Sequence, residues 1–169
     1  MKRTGNVTEN GFSLIETMIA ISIFALIAAG FTSSALQVRK LAQSNIYECT
    51  ALFVATSYLE QVQDMEYGLL LNSIANPSTD KLETEIDQGS ADWIETNATD
   101  WVAKDVIIDT DASDNSTLTM PFEVKIQLTD LNATINREAI WIEVLFRWQS
   151  PDTHKWYQKT LETAKANVI

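Results

Sequence analysis

From residue 17 to residue 38 the chain reads TMIAISIFALIAAGFTSSALQV, without a single Asp, Glu, Lys, Arg or His. About 20 residues at 1.5 Å each cover roughly 30 Å of hydrocarbon, so a helix over this run is long enough to cross a bilayer. Gly30, Ser22, Thr32, Ser33 and Ser34 give it small faces on which another helix can pack. Proline and glycine are then absent between Gln37 and Tyr67, and the pattern turns amphipathic: Leu41, Ala42, Ile46, Cys49, Leu52, Phe53, Ala55, Leu59, Val62 and Met65 recur three or four apart. Together the two runs predict one helical rod of about 55 residues, on the order of 80 Å. Gly68 is the expected stop, with Tyr67 packed beneath it. Leu52, Phe53, Leu59 and Val62 are expected to pack on the chain's own sheet rather than on a partner.

Residues 68–104 carry a weaker pattern, with Pro77, Gly89, and Trp93 and Trp101 on either side of an acidic, polar stretch. Trp93, Ile94, Trp101 and Val102 predict short helical turns or loops over a sheet edge. The two indoles are read as core packing in preference to a glycan platform. Strands are plainer further on. Phe122, Val124, Ile126 and Leu128 alternate with Glu123, Lys125 and Gln127, which predicts a half-buried strand over 119–129. After a turn over 130–137, AIWIEVLFRWQ places Ile140, Ile142, Val144, Phe146 and Trp148 on one face. Ser150-Pro151-Asp152 marks a second turn, and 155–163 returns as a third strand with Trp156 and Tyr157 on opposite faces. One long helix and three meandering antiparallel strands make an α+β chain with a small two-layer core.

Charge divides the 169 residues unevenly. The formal net charge is −11, from 12 Lys+Arg against 23 Asp+Glu, and the stretch from Asp80 to Asp114 holds many acids with only Lys81 and Lys104 as bases. Such a field repels nucleic acid, which is not expected as a partner. Lys2 and Arg3 precede the apolar run and favour a cytoplasmic N-terminus with the acidic bulk translocated, a bias that Arg39 and Lys40 weaken. A cleaved secretory signal is the competing reading, against which the apolar stretch is too long.

Little chemistry is on offer in the polar part. His154 is the only histidine and sits in a turn, and Cys49 is the only cysteine, which precludes an intramolecular disulfide. Asp105, Asp109, Asp111 and Asp114 form the tightest acidic group, and DTDASD could offer oxygen ligands to calcium. The run lacks the central glycine and terminal glutamate of the helical calcium loop, so a solvated acidic loop is preferred and no cofactor is expected. Asn6, Asn97, Asn115 and Asn132 each open an N-x-Ser/Thr triplet. No phosphate loop, dinucleotide fingerprint or nucleophile elbow occurs, and the chain is not read as an enzyme.

Glu16 stands out, because a carboxylate at the lip of a hydrocarbon-spanning helix is costly without a partner. Gly11-Phe12-Ser13-Leu14-Ile15-Glu16, after a short leader with Lys2 and Arg3, resembles the cleavage and methylation motif of type IV pilins and type II secretion pseudopilins. The resemblance implies that a prepilin peptidase cuts between Gly11 and Phe12 and that the new amine of Phe12 is methylated. Glu16 is then the assembly glutamate, set against the N-terminal amine of a neighbouring subunit. Ser13, Leu14, Ile15 and 17–26 are read as lipid-facing or helix-packing positions.

Thr17 comes directly after the glutamate, and Ser33 stands where many major pilins carry a kinking proline; both agree better with minor pilins or minor pseudopilins. The resemblance divides the chain into a leader over 1–11, a transmembrane and assembly half over 12–38, and a soluble pilin-like domain over 39–169. The chain would sit in the inner membrane by a single pass and then enter a pilus or pseudopilus. Its expected partners are other pilins, prepilin peptidase, the inner-membrane assembly platform and the bilayer. A membrane-anchored ligand-binding protein without a filament role is the alternative.

Overall fold

The computed structural model describes residues 13–85, 91–110, 117–132, 138–151 and 153–167. The chain divides into two compact units, Met1–Ala42 and Gln43–Ile169. Helix α1 runs from Leu14 to Asp64 and α2 from Tyr67 to Ala75. Strands β1 (Leu82–Glu85) and β2 (Ala91–Ile94) form a hairpin. Strands β3 (Val102–Thr110), β4 (Thr117–Asp130), β5 (Ala139–Gln149) and β6 (Trp156–Ala166) form an antiparallel sheet in chain order.

In the second unit, the C-terminal part of α1 packs on this sheet. Strands β4 and β5 supply Phe122, Val124, Ile126 and Leu128 with Ile140, Ile142, Val144, Phe146 and Trp148, all buried as their strict alternation predicts. The face of α1 against them is Tyr47, Ala51, Val54, Ala55, Tyr58 and Val62. This corrects the predicted stripe. Ala55 and Val62 are buried and Leu52, Leu59 and Met65 half-buried, whereas Leu41, Ile46, Cys49 and Phe53 are exposed, Phe53 to 77%. Two neighbouring apolar stripes compete on this helix. The sheet takes the one whose middle holds Ala51 and Ala55, small residues that allow close approach, with tyrosines on either side.

Helix α1 stops short of the expected glycine. Met65 N–H bonds back to the carbonyl of Val62, and Lys165 of β6 donates its Nζ to the carbonyls of Gln63 and Met65 at 2.5 and 2.6 Å. A lysine thus satisfies carbonyls that a helix end leaves bare. Glu66 is extended (φ −61°, ψ 137°), and a second helix begins at once with Gly68 inside it. Lys159, on the same face of β6, pairs with Glu48 of α1. Half-buried Tyr67 has its phenol pKa held above the ordinary value by burial first, then by the carboxylates of Asp130 and Glu138.

The weakly patterned middle of the chain also differs from expectation. Trp93 and Ile94 belong to β2 rather than to a helical turn, and Val102 opens β3, a fourth strand of the sheet. Strand β3 escapes detection because it lies at the sheet edge: Val106 and Ile108 are only half-buried and Ile107 is exposed, so apolar and polar residues do not alternate cleanly.

Beyond Val102↔Val124 the ladder of β3 with β4 ends, and Asn97 continues it. Its backbone N–H donates to the carbonyl of Ile126 at 2.9 Å, Leu128 N–H donates to its Oδ1 at 2.9 Å, and its Nδ2 donates to the carbonyl of Leu128 at 3.1 Å. To reach this geometry Asn97 adopts φ 56°, a left-handed conformation asparagine tolerates better than most residues. The triplet Asn97-Ala98-Thr99 is therefore a structural element, its amide already engaged. Asn97→Asp replaces the Nδ2 donor by an oxygen facing the Leu128 carbonyl. Chemical denaturation should show a loss of about 1–3 kcal/mol.

Candidate functional site

The start of α1 is built by local hydrogen bonding. Ser13 N–H donates to Glu16 Oε2 at 2.9 Å, and Glu16 N–H donates to Ser13 Oγ at 3.2 Å. This reciprocal pair is a capping box, in which two backbone donors left bare by the helix start find side-chain acceptors. A carboxylate there also lies favourably at the positive end of the helix dipole. Ser13 therefore has a defined role that a lipid-facing or packing position does not describe; the S-x-x-E spacing ahead of an apolar run is its visible signal.

Three hydroxyls beyond the box are folded back onto the helix. Thr17 Oγ1 donates to the carbonyl of Ser13 at 3.2 Å, Ser22 Oγ to Met18 at 2.9 Å and Thr32 Oγ1 to Ala28 at 2.9 Å. Each hydroxyl proton is thereby satisfied without water, as an apolar surrounding requires. Leu14, Ile15, Met18, Phe24, Leu26 and Phe31 are all more than half exposed. Among the described residues α1 is long and apolar enough to cross a membrane, by length and composition. Gly11 and Phe12, the expected processing residues, lie outside the described residues.

The remaining candidates disperse. Asp105 and Asp109 are exposed on β3, while Asp111 and Asp114 lie outside the described residues. No group of three or more His, Cys, Asp or Glu able to hold a metal occurs among the described residues. His154 is exposed in the β5–β6 turn at φ 53°, its N–H donated to the Ser150 carbonyl at 3.0 Å. Cys49 is a free, exposed thiol on α1. The two tryptophans expected in the core part company. Trp93 is 60% exposed, and Trp101 is half-buried over Arg147, whose guanidinium carbon lies 4.5 Å from its ring centre and 5.0 Å from that of Trp156. Glu123 closes this stack as the ion-pair partner of Arg147.

No curated protein and no solved structure gives a match to the chain. The family described as prokaryotic N-terminal methylation motif matches residues 8–32, a span that holds Gly11, Phe12, the Ser13–Glu16 capping box and the first turns of α1. At the level of this motif, the N-terminal region has the character of the methylated N-terminal helix of prepilins and pseudopilins.

Proposed function

We propose that the chain is a structural minor subunit of a type IV pilus or type II secretion pseudopilus, cut between Gly11 and Phe12 and N-methylated at Phe12. The observation that carries this reading is the methylation motif over residues 8–32, continuous with an exposed apolar helix that has a single carboxylate, Glu16, at its start. Before assembly the helix anchors the chain in the inner membrane with the leader on the cytoplasmic side, where the peptidase works. During assembly it leaves lipid for the company of other pilin helices on the assembly platform. A carboxylate and an ammonium brought together in a dry bundle attract strongly, whereas either alone is penalised, so a pair between Glu16 and a neighbour's amine fixes axial register.

The processing step has a direct test. Co-expressed with an active prepilin peptidase and methyltransferase, the mature chain should show an intact mass lacking residues 1–11 and carrying one added methyl group. Recovery of the Met1-containing chain from such cells would sink the reading.

A further inference from the structure

The five tryptophans of the chain differ in what their rings meet. Trp148 is buried and stacked between Phe146 and Tyr157, Trp101 and Trp156 cover Arg147, and Trp141 donates its Nε1 to Glu143. Trp93 makes no such contact among the described residues and stands 60% exposed. It is not marooned on a convex surface. It forms one wall of an open cleft of about 510 Å³ whose other walls include Glu66 and Asn72 from the start and middle of α2 and Asp80 and Lys81 from the loop before β1. The cleft lies wholly within the second unit.

We propose that this cleft binds a short saccharide, one sugar ring stacked on the Trp93 indole. A sugar ring presents an apolar C–H face and, around its rim, hydroxyls that each donate and accept. The cleft answers both needs with an exposed indole bordered by acceptors (Glu66, Asp80), a donor (Lys81) and an amide that does both (Asn72). Lys81 lies 3.7 Å from Glu95, but as a partly exposed ammonium with three protons it has donors to spare. The wall at Gly68 is open, since a Cβ there would meet nothing within 4 Å. A basic peptide would also be drawn to an indole beside two carboxylates, but it offers no acceptor-rich rim to the Lys81 ammonium and the Asn72 amide and so uses only part of the lining. A ligand that is neutral and rich in hydroxyls suits the mixed lining better. The expectation that Trp93 is core is the physical ground on which a glycan platform is set aside from sequence, and its exposure removes that ground.

The test uses the full chain in a zwitterionic detergent without a sugar headgroup, titrated with cellotriose, maltotriose and chitotriose and followed by backbone amide shifts. At least one trisaccharide should bind with a millimolar or tighter dissociation constant. Trp93→Ala should weaken that binding at least about tenfold, equivalent to 1.4 kcal/mol, and Asp80→Asn several-fold. Trp156→Phe, whose ring is engaged elsewhere, should leave it unchanged. Affinity should also persist when salt is raised, because a neutral ligand is not screened. Three results overturn the proposal: no binding by any of the three sugars, binding indifferent to Trp93→Ala, or salt-sensitive binding of a trilysine peptide in their place. The amide spectrum of each variant reports whether it is folded, so a loss of binding is not confused with unfolding.

Discussion

Replacing Phe122 by alanine should cost the second unit about 3–5 kcal/mol, the largest stability effect expected of a single side chain here. Phe122 is fully buried at the middle of β4, with the Tyr58 ring of α1 at 6.5 Å between centroids and Phe146 of β5 at 6.1 Å. The row continues to Trp148 and then to Tyr157 on β6, so aromatic rings run from the helix across the sheet to its last strand. Removing Phe122 leaves both neighbours facing a void, and the cost combines lost transfer energy with a cavity that the rigid sheet cannot close. Typical domains have only about 5–15 kcal/mol in total, so the loss is a large share. Phe53→Ala is the control. Its ring is as large but 77% exposed, and the change should stay within about 0.5 kcal/mol. Urea unfolding of the full chain in detergent, followed by tryptophan fluorescence, compares the two. Equal losses would show that α1 presents a different face to the sheet.

The second large effect concerns assembly. Glu16 has two separable attributes, a capping geometry toward Ser13 and a negative charge. Glu16→Gln preserves the first, because a glutamine fits the same position of a capping box, and removes the second. Glu16→Ala removes both. If the charge makes the contact with a neighbour's amine, both variants should be processed between Gly11 and Phe12 yet enter filaments at no more than about a tenth of the wild-type level, the consequence of losing one partner of a dry ion pair. If capping is all that Glu16 does, Glu16→Gln should assemble normally. Immunoblots of sheared filament and membrane fractions, with the co-assembling pilins expressed together, separate the outcomes. Normal incorporation of Glu16→Gln would refute the charge-pairing role.

The parts of the fold legible in the sequence are those in which one residue's neighbours leave it no choice. In the central strands β4 and β5 one face meets the core along its length, so 122–128 and 140–148 alternate strictly and their positions can be read to within a residue or two. The long helix is equally plain in extent, but its buried stripe is not, because Ile46, Cys49 and Phe53 are as apolar as Tyr47, Val54 and Tyr58. Fit against the sheet decides between the stripes, and no local pattern records it.

The same holds for the end of α1. Gly68 is a local stop signal, yet Lys165, far along the chain, satisfies the carbonyls of Gln63 and Met65 and sets the boundary earlier. Edge elements escape a sequence reading for the opposite reason: β3, β1 and β2 are too short or too half-exposed to impress a period on their residues. At the candidate assembly site, the motif through Glu16 is legible only by its resemblance to a known family, whereas the capping box can be read from the S-x-x-E spacing in the same letters.

The two lysines of β6 bear on how the protein comes into being. Lys159 reaches Glu48 across 111 residues of sequence and Lys165 reaches Gln63 across 102. The strand that fastens the helix is therefore made 102 to 111 residues after the part of the helix it ties. Until it arrives, α1 lacks its terminal cap and the final member of the aromatic row, and contacts so distant in sequence form slowly. A chain ended before Trp156 would keep the helix and its core against β4 and β5 yet lack the two lysine ties from β6 to α1. The core of β4 and β5 holds the helix by its buried face, and β6 adds the polar ties that fasten its outer flank and its end.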